Sequence, residues 1–358
     1  MTKRRMLVAM VLTAGAAVLA AAPGASAKPA FKVVIAHSNN PRQLALGNGS
    51  LYVGEAGKAG SLCFDPQTCA GFTGSIARVH HGVVSRVARG LISVGGKDGS
   101  FTVGADGVSV DPRGRVYTVF TSAGPTPPPG APQKALRQLG NLMRVWPNGK
   151  LTKVADIDNF EFNHNPDGGP VDSDPYAVLA LGHNTQIVLD AGGNDALRVH
   201  DGHVRLLAVF PPNSAGKDAV PTSLTRGPDG SVLVGELGGD GSPNGASRVW
   251  QIWPNKLHQT PHVYRTGFTA VTGIAWHRHS LYVCEFTTDY PNGSPNGAIV
   301  KVTGSHRTVL GAGVLHFPGG VAVHDGHVYV SNWSVLPAFA PAGSPFGTAH
   351  GQVIRLNR

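Results

Sequence analysis

Short apolar runs recur along the chain, and turns rich in Gly, Asp and Asn separate them. In residues 44–53, for example, the dipeptide Asn48-Gly49 divides two such runs. Pairs of this kind supply the positive φ angles that tight hairpins require. Gly and Pro number 48 and 27 of the 358 residues, and each of them in a helix interior costs roughly 1–3 kcal/mol. The pattern therefore predicts an all-β protein with many short strands.

One unit of this kind is repeated six times. It consists of a small-residue apolar strand, a tight turn, a second strand, a variable loop and a third strand that carries Arg or Lys. The turn and its flanking strands lie at 44–53, 108–117, 178–188, 224–234, 274–283 and 321–330, and the third strands at 76–79, 142–145, 197–199, 249–252, 299–302 and 353–356. A fourth strand closes most units. Six units of four antiparallel strands predict a six-bladed β-propeller.

The two ends of the repeat region complement each other. The sixth unit stops after its third strand, and the alternating segment 31–37 stands alone before the first unit. We expect this N-terminal strand to complete the last blade, because ring closure removes exposed sheet edges. Residues 28–358 would then form a single propeller domain. A pair of β-sandwiches is the alternative.

Residues 1–27 resemble an export signal. Basic residues 3–5 precede the uncharged segment 6–22, and the small residues 25–27 form a cleavage site. An uncleaved anchor is the alternative, although the apolar segment is at the short limit for spanning. Arg4-Arg5 suggests the twin-arginine route, but its neighbours fit the general route better. The prediction is a secreted or cell-envelope protein that is cleaved near Ala27 and has no membrane span afterwards.

The charge distribution limits the classes of partner. The net charge is +9 at pH 7, and charged residues make up only 14% of the chain. A disordered chain needs more charge and less apolar content. No run of Lys or Arg follows residue 5, so neither a nucleic-acid arm nor a polybasic membrane patch is predicted. We expect a monomer that binds a small molecule or a protein.

Three cysteines occur. Cys63 and Cys69 lie close enough in sequence to close a small ring, and export makes disulfides possible. A Cys63–Cys69 disulfide is therefore predicted. Zinc is the competing interpretation, but it needs about four ligands. Cys284 lies in an apolar run and is expected to be a buried free thiol.

The predicted propeller brings oxygen-bearing residues to one face, because first strands begin and second strands end there. The residues that close the second strands are Glu55, Phe120, Asp190, Glu236, Glu285 and Asn332. The first strands begin at Asn40, Asp106, Asp174, Thr222 and Thr272. Both sets are expected to converge on one mouth of the central channel.

Crowded carboxylates must be protonated, paired with bases or neutralised by a cation. Oxygen ligands without Cys or His favour Ca²⁺ or another hard divalent cation. The predicted metal ligands are Glu55, Asp174, Asp190, Glu236 and Glu285. In the alternative interpretation, these carboxylates cap backbone N–H groups or pair with Arg between blades. No organic cofactor is expected.

The segment before the third unit is the richest in polar residues. Glu161, Asp167, Asp172 and Asp174 crowd into it, and 190–194 follows the second strand of that unit. A simple surface turn would not need so many acids, so we expect this loop to fold over the channel mouth. The candidates for ligand contact on the loop face are Asp106, Asn165, Asp167, Asp172, Asn194, Thr222, Thr272 and Asn332.

The motifs resemble those of the ScyD/ScyE family, exported six-bladed propellers related to NHL-repeat and gluconolactonase-like proteins. The matching segments, in order, are 165–169, 172–176, 190–194, 220–223, 227–230 and 235–238. The resemblance covers nearly all of residues 28–358 and implies the propeller fold. Asp174 departs from the pattern, in which Asn is expected. The family name transfers no reaction.

Three functions are compatible with these features. No Gly-x-Ser-x-Gly, His-Glu-x-x-His or phosphate-loop motif occurs. We favour a propeller that binds a small molecule or protein on its loop face, with a divalent cation at the channel mouth. One alternative is a metal-dependent lactonase-like hydrolase or lyase, in which a carboxylate moves a proton. The other is a structural module of the cell envelope. Fold alone does not choose between them.

Overall fold

The architecture is a ring of six β-sheets. A computed structural model describes residues 30–97, 101–340 and 343–357. The predicted leader, residues 1–27, lies outside the described residues. Each sheet is built on four antiparallel strands, which run in sequence order from the channel outward in five blades, and this arrangement confirms the predicted six-bladed β-propeller.

The strands are β1 (Phe31–Ile35), β2 (Pro41–Gly47), β3 (Ser50–Glu55), β4 (Leu62–Cys63), β5 (Thr68–His80), β6 (Val83–Gly96), β7 (Thr102–Val103), β8 (Ala105–Val110), β9 (Val116–Phe120), β10 (Asn141–Val145), β11 (Leu151–Asp156), β12 (Pro175–Gly182), β13 (Thr185–Asp190), β14 (Asp195–His200), β15 (His203–Val209), β16 (Pro221–Arg226), β17 (Val232–Glu236), β18 (Ser247–Ile252), β19 (His262–Phe268), β20 (Val271–His277), β21 (Ser280–Glu285), β22 (Ala298–Thr303), β23 (His306–Leu310), β24 (Gly320–His324), β25 (His327–Asn332) and β26 (Gln352–Leu356). Two short helices, α1 (Gln133–Leu136) and α2 (Asp158–His164), and one 3₁₀ turn at Pro228–Gly230 complete the described elements.

Blade one is β2-β3-β5-β6, with the short strands β4 and β7 added to it. Blades two to five are β8 to β11, β12 to β15, β16 to β19 and β20 to β23. Blade six is β24-β25-β26-β1, and Phe31 pairs with Leu356 in its last ladder. The N-terminal strand therefore closes the ring, as the sequence predicts.

The hairpin turns have the predicted backbone. Asn48 and Gly49 have φ angles of 49° and 63°, and Asp325 and Gly326 have φ angles of 47° and 74°. Asn, Asp and Gly tolerate this left-handed region best. The tight turns predicted from the sequence are therefore present, and they determine where the first strand of each hairpin ends and the second begins.

The core is divided among the interfaces between blades. Six apolar clusters each join two neighbouring blades. In one of them, Leu44 and Val53 of blade one pack with Val353 of blade six. Near the axis the strands approach so closely that a Cβ atom on Gly320 would lie 2.7 Å from the carbonyl oxygen of Arg42. Small residues in the inner strands thus permit the close packing of the ring.

Cys63 and Cys69 form a disulfide, as predicted, and Cys284 is a buried free thiol. The disulfide joins β4 to β5 across a short hairpin on blade one. Within the residues described, no helix has the length and apolar character needed to cross a membrane.

Candidate functional site

Glu55, which ends β3, is fully paired in a buried position. Its side chain is 1% exposed. Arg86 donates to it in a bidentate arrangement, with Nε 2.8 Å from Oε2 and Nη2 2.9 Å from Oε1. Ser38 and Ser75 donate their hydroxyls to the same carboxylate. The charge of Glu55 is therefore balanced by a base within its own blade.

Glu236 and Glu285 also have partners. Arg248 Nε lies 2.6 Å from Glu236 Oε1, and Trp250 Nε1 lies 2.7 Å from Oε2. The backbone N–H of Thr269 donates to Glu285 Oε1 at 2.9 Å. Burial raises the pKa of both carboxyls, and these hydrogen bonds oppose the rise. Glu236 and Glu285 thus accept hydrogen bonds from backbone N–H groups, as the alternative to a metal site expects. The Arg partners of Glu55 and Glu236, however, lie in the same blade as the carboxylate and not in the next one.

Asp190, at the end of β13, is surrounded by donors. Its Oδ1 accepts hydrogen bonds from the backbone N–H groups of Asp174, Gly192 and Gly193 at 2.6, 3.1 and 3.1 Å. Its Oδ2 accepts one from Ser173 Oγ at 2.6 Å. This carboxylate organises the turn after β13.

Asp106 and Asp174 lie where first strands begin. Arg42 Nε is 3.2 Å from Asp106 Oδ1, and this buried ion pair joins blades one and two. Asp174 has no such base, and its Oδ1 is buried without a hydrogen-bond partner. Burial and the neighbouring Asp106 raise its pKa well above the usual range, although a hydrogen bond with Thr121 opposes the rise. A proton on Asp174 is therefore favoured.

The five predicted metal ligands do not meet as a group. Across residues 30–97, 101–340 and 343–357, no three His, Cys, Asp or Glu side chains are arranged so that they could hold a metal ion. Four further candidates form framework hydrogen bonds. Thr222 donates to the Val271 carbonyl, Thr272 to the Pro318 carbonyl, Asn332 accepts from the His316 N–H, and Asn194 accepts from the Val220 N–H.

Helix α2 brings a further carboxyl to blade three. Asp158 accepts a hydrogen bond from Ser122 Oγ at 2.7 Å, and it lies 2.8 Å from Ser173 Oγ, whose one hydroxyl hydrogen it shares with Asp190. Burial raises its pKa to about 7, the two hydroxyls oppose this rise, and the charges of Asp190 and Asp156 add to it. Asp158 thus links α2 to the loop that leads into β12.

Glu161 of α2 and Asp195 of β14 form the blade-three acid pair. They are 1% and 0% exposed, and none of their four carboxylate oxygens has a hydrogen-bond partner among the described residues. Burial, followed by the charges of Asp190 and Asp167, raises the pKa of Glu161 to about 7. Burial, followed by Asp190 and Glu161, raises that of Asp195 well above its usual range. The charges of neighbouring carboxyls thus act on both members of the pair, and no basic side chain of the described residues forms a salt bridge with either of them.

Two of the other predicted loop residues, Asp167 and Asp172, lie near enough for their charges to act on Glu161. Asn165 ends α2 with a φ of 40°, and its Oδ1 is buried without a partner. Asp167 Oδ2 accepts a hydrogen bond from Asn194 Nδ2 at 3.0 Å. Asp172 is exposed. Sequence reasoning noticed Glu161 but did not select it as a ligand, and it missed Asp158 and Asp195. An acid as the first residue of a third strand is the signal that would have identified Asp195.

Comparisons with solved structures support the fold. An aldose sugar dehydrogenase from Streptomyces coelicolor, solved in its PQQ-bound form, is 13% identical with a TM-score of 0.56 and coverage of 92% of this chain and 99% of that one. The calcium-binding protein regucalcin from Agrobacterium tumefaciens is 10% identical (TM-score 0.55, coverage 92% and 93%). A gluconolactonase from Xanthomonas campestris is 8% identical (TM-score 0.52, coverage 91% and 88%). No family model and no curated protein matches the sequence. At these identities the likeness shows the propeller fold alone.

Proposed function

We propose that this protein is a ligand-binding β-propeller that holds Ca²⁺ at the blade-three acid pair. The observation that carries the proposal is the set of four buried carboxylate oxygens without partners on Glu161 and Asp195. An isolated buried carboxylate is unfavourable unless it is protonated or neutralised. A bound cation supplies the charge that no side chain provides here.

The donor chemistry favours a hard cation. Glu161, Asp195 and the buried amide oxygen of Asn165 offer oxygen only. Ca²⁺ takes roughly six to eight oxygen ligands, including backbone carbonyls and waters. Two carboxylates and one amide therefore make an incomplete shell that carbonyls and waters would fill. Regucalcin, which is a calcium-binding protein, shares the propeller fold with this chain, and its support for the choice of Ca²⁺ goes no further than that.

A cation at this position would order the loop face. Glu161 belongs to α2, and Asp195 follows the turn that Asp190 organises, so a bridge between them fixes two loops of blade three. Asp174 adjoins these loops, because its backbone N–H donates to Asp190 Oδ1. We propose that this ordered face binds a small molecule or a protein.

Metal content and calorimetry test the cation site. We expect purified protein to bind one Ca²⁺ and to melt at a lower temperature after chelation. Asp195→Asn and Glu161→Gln should each weaken binding at least tenfold. Asp229→Asn is the matched control, because Asp229 lies on an exposed turn with a φ of 58° that Asn tolerates. Unchanged binding in both acid-pair variants would refute the site.

Export and family membership belong to the same proposal. We infer that the chain is an exported, monomeric propeller of the ScyD/ScyE type, on the strength of the motifs at 165–169 and 190–194. A disulfide is typical of an oxidising compartment. N-terminal sequencing of protein recovered from the culture medium should find Lys28 first. Retention of residues 1–27 in the recovered protein would contradict this inference.

A lactonase-like activity is the second candidate, and the partnerless oxygen of Asp174 favours it. In such a reaction water adds to the lactone carbonyl and the ring C–O bond breaks, which gives a hydroxy acid. A protonated Asp174 could donate to the departing alkoxide. Hydrolysis of glucono-1,5-lactone above the uncatalysed rate, lost in Asp174→Asn, would establish this activity. A rate equal to that of buffer would exclude it for this substrate.

A further inference from the structure

A basic cleft lies between blades one and two. Its volume is about 550 Å³. Five cationic side chains line it: Arg89, Lys134, Arg137, Lys150 and Lys153. They come from β6, from α1 and the residue that follows it, from the turn before β11, and from β11 itself. The propeller thus gathers charges that form no run in the sequence.

Specific contacts hold the walls of the cleft together. The backbone N–H of Ile92 donates to the side-chain oxygen of Gln138 at 2.8 Å, which anchors the segment after α1 to β6. A Cβ atom on Gly149 would lie 3.1 Å from the carbonyl oxygen of Val87, so the turn before β11 also packs against β6. The cationic side chains therefore extend from a fixed framework.

The positive charge of the cleft is only partly balanced. Asp156 is the one acid among the lining residues, and it already lies 3.2 Å from Lys153 Nζ. Arg89, Arg137 and Lys150 have no salt bridge to any residue that the structure describes. An anion with two or more charges would meet several of these cations at once.

The other residues that line the cleft indicate which further chemical groups a ligand would carry. Leu136, Met143 and Leu151 supply an apolar surface. Asn141, which is 4% exposed, has a buried side-chain oxygen without a partner that can accept a hydrogen bond from a hydroxyl. The volume is in the range of small-molecule sites. The lining contains no aromatic ring on which a nucleic-acid base could stack.

We propose that this cleft binds a hydroxylated organic anion with at least two negative charges. A sugar phosphate and a hydroxylated polycarboxylate share this chemistry. The cations recognise the anionic groups, Asn141 accepts from a hydroxyl, and the apolar residues contact the carbon skeleton. Its lining shares no residue with the proposed Ca²⁺ site.

Titration calorimetry in calcium-free buffer with glucose 6-phosphate and with citrate tests this proposal. We expect one of them to bind, with an affinity that falls between 50 and 300 mM NaCl because salt screens exposed charges. Arg137→Gln and Lys150→Gln should each weaken binding about tenfold, the loss of one charge-assisted contact. Arg113→Gln makes the same charge change on an exposed turn and should bind as wild type does.

Further probes separate the possible outcomes. Binding of glucose 6-phosphate alone or of citrate alone supports the proposal and identifies the anionic group. Tricarballylate, which is citrate without its hydroxyl, and methyl phosphate should bind several-fold more weakly than their hydroxylated counterparts. Equal binding of sodium sulfate would indicate a nonspecific anion site and overturn the proposal. Absence of binding by both ligands, or tighter binding of an RNA oligonucleotide, would also overturn it.

Discussion

The Oε2 atom of Glu161 lies 2.8 Å from the position that a Cβ atom on Gly193 would occupy. Asp190, whose carboxyl carbon lies 3.4 Å from the same position, closes the other side. Gly193→Ala should therefore displace Glu161 and weaken Ca²⁺ binding at least tenfold. Overpacking should also lower the free energy of unfolding by about 1–3 kcal/mol. Calorimetry and urea denaturation would measure the two effects.

Gly49→Ala is the control for this prediction. A Cβ atom on Gly49 meets nothing within 4 Å, but its φ of 63° strains any residue other than Gly. That strain costs roughly 1–2 kcal/mol, so stability should fall without a change in Ca²⁺ affinity. Normal Ca²⁺ binding by Gly193→Ala would contradict the proposed role of Glu161.

Asp158 should make stability depend on pH. Its folded-state pKa of about 7 exceeds the ordinary 3.8, so the folded protein binds more protons than the unfolded chain between these values. Its contribution to stability is therefore fully present below pH 4 and is lost as the pH rises to about 7. We expect the metal-free protein to become less stable across this range, by up to about 4 kcal/mol from this group.

Asp158→Asn tests this dependence, because the amide keeps the shape and cannot titrate. Neighbouring carboxyls with raised pKa values, including Asp174, Asp190 and Asp195, will keep a residual slope. The variant should therefore show a shallower loss of stability between pH 4 and 7, in denaturation curves measured at several pH values. A slope identical to that of wild type would show that Asp158 is ionised throughout.

Arg86 should be important for stability but not for Ca²⁺. Its side chain is 24% exposed, whereas that of Glu55 is 1% exposed. Arg86→Met leaves the Glu55 charge buried, which should cost about 2–3 kcal/mol, somewhat less than a fully buried pair would. Adding Glu55→Gln should recover part of this loss, and urea denaturation of both variants would measure it. A Ca²⁺-dependent gain in stability confined to Arg86→Met would instead place the cation at Glu55.

The fold was predictable because its signals are local and repeated. Dipeptides such as Asn48-Gly49 mark the turns, the six units give the blade number, and segment 31–37 supplies the missing strand of blade six. Each of these features depends on residues adjacent in sequence. The confirmed disulfide between Cys63 and Cys69 is local in the same sense.

The site could be predicted only in part, because its chemistry depends on side-chain partners. Alignment of strand ends found Glu55 and Glu236, but their Arg partners lie on other strands of the same blade and were not visible as pairs. Asp195 was missed because strand three was read for its basic residue. The basic cleft was missed because Arg89 and Lys150 are distant in sequence and meet only through blade packing.

Ring closure by β1 leads to the last prediction. β1 covers the edge of β26, and Ile35, which is 3% exposed, packs into the cluster between blades six and one. A chain that begins at residue 37 should lose at least about 3 kcal/mol relative to one that begins at residue 28, because it loses this apolar burial and the ladder. The freed edge of β26 should also promote association.

Val33→Ser, at a 41% exposed position in the same strand, is the control and should change stability little. Denaturation and size-exclusion chromatography would measure both effects, and equal stability of the two chains would show that the ring does not depend on β1.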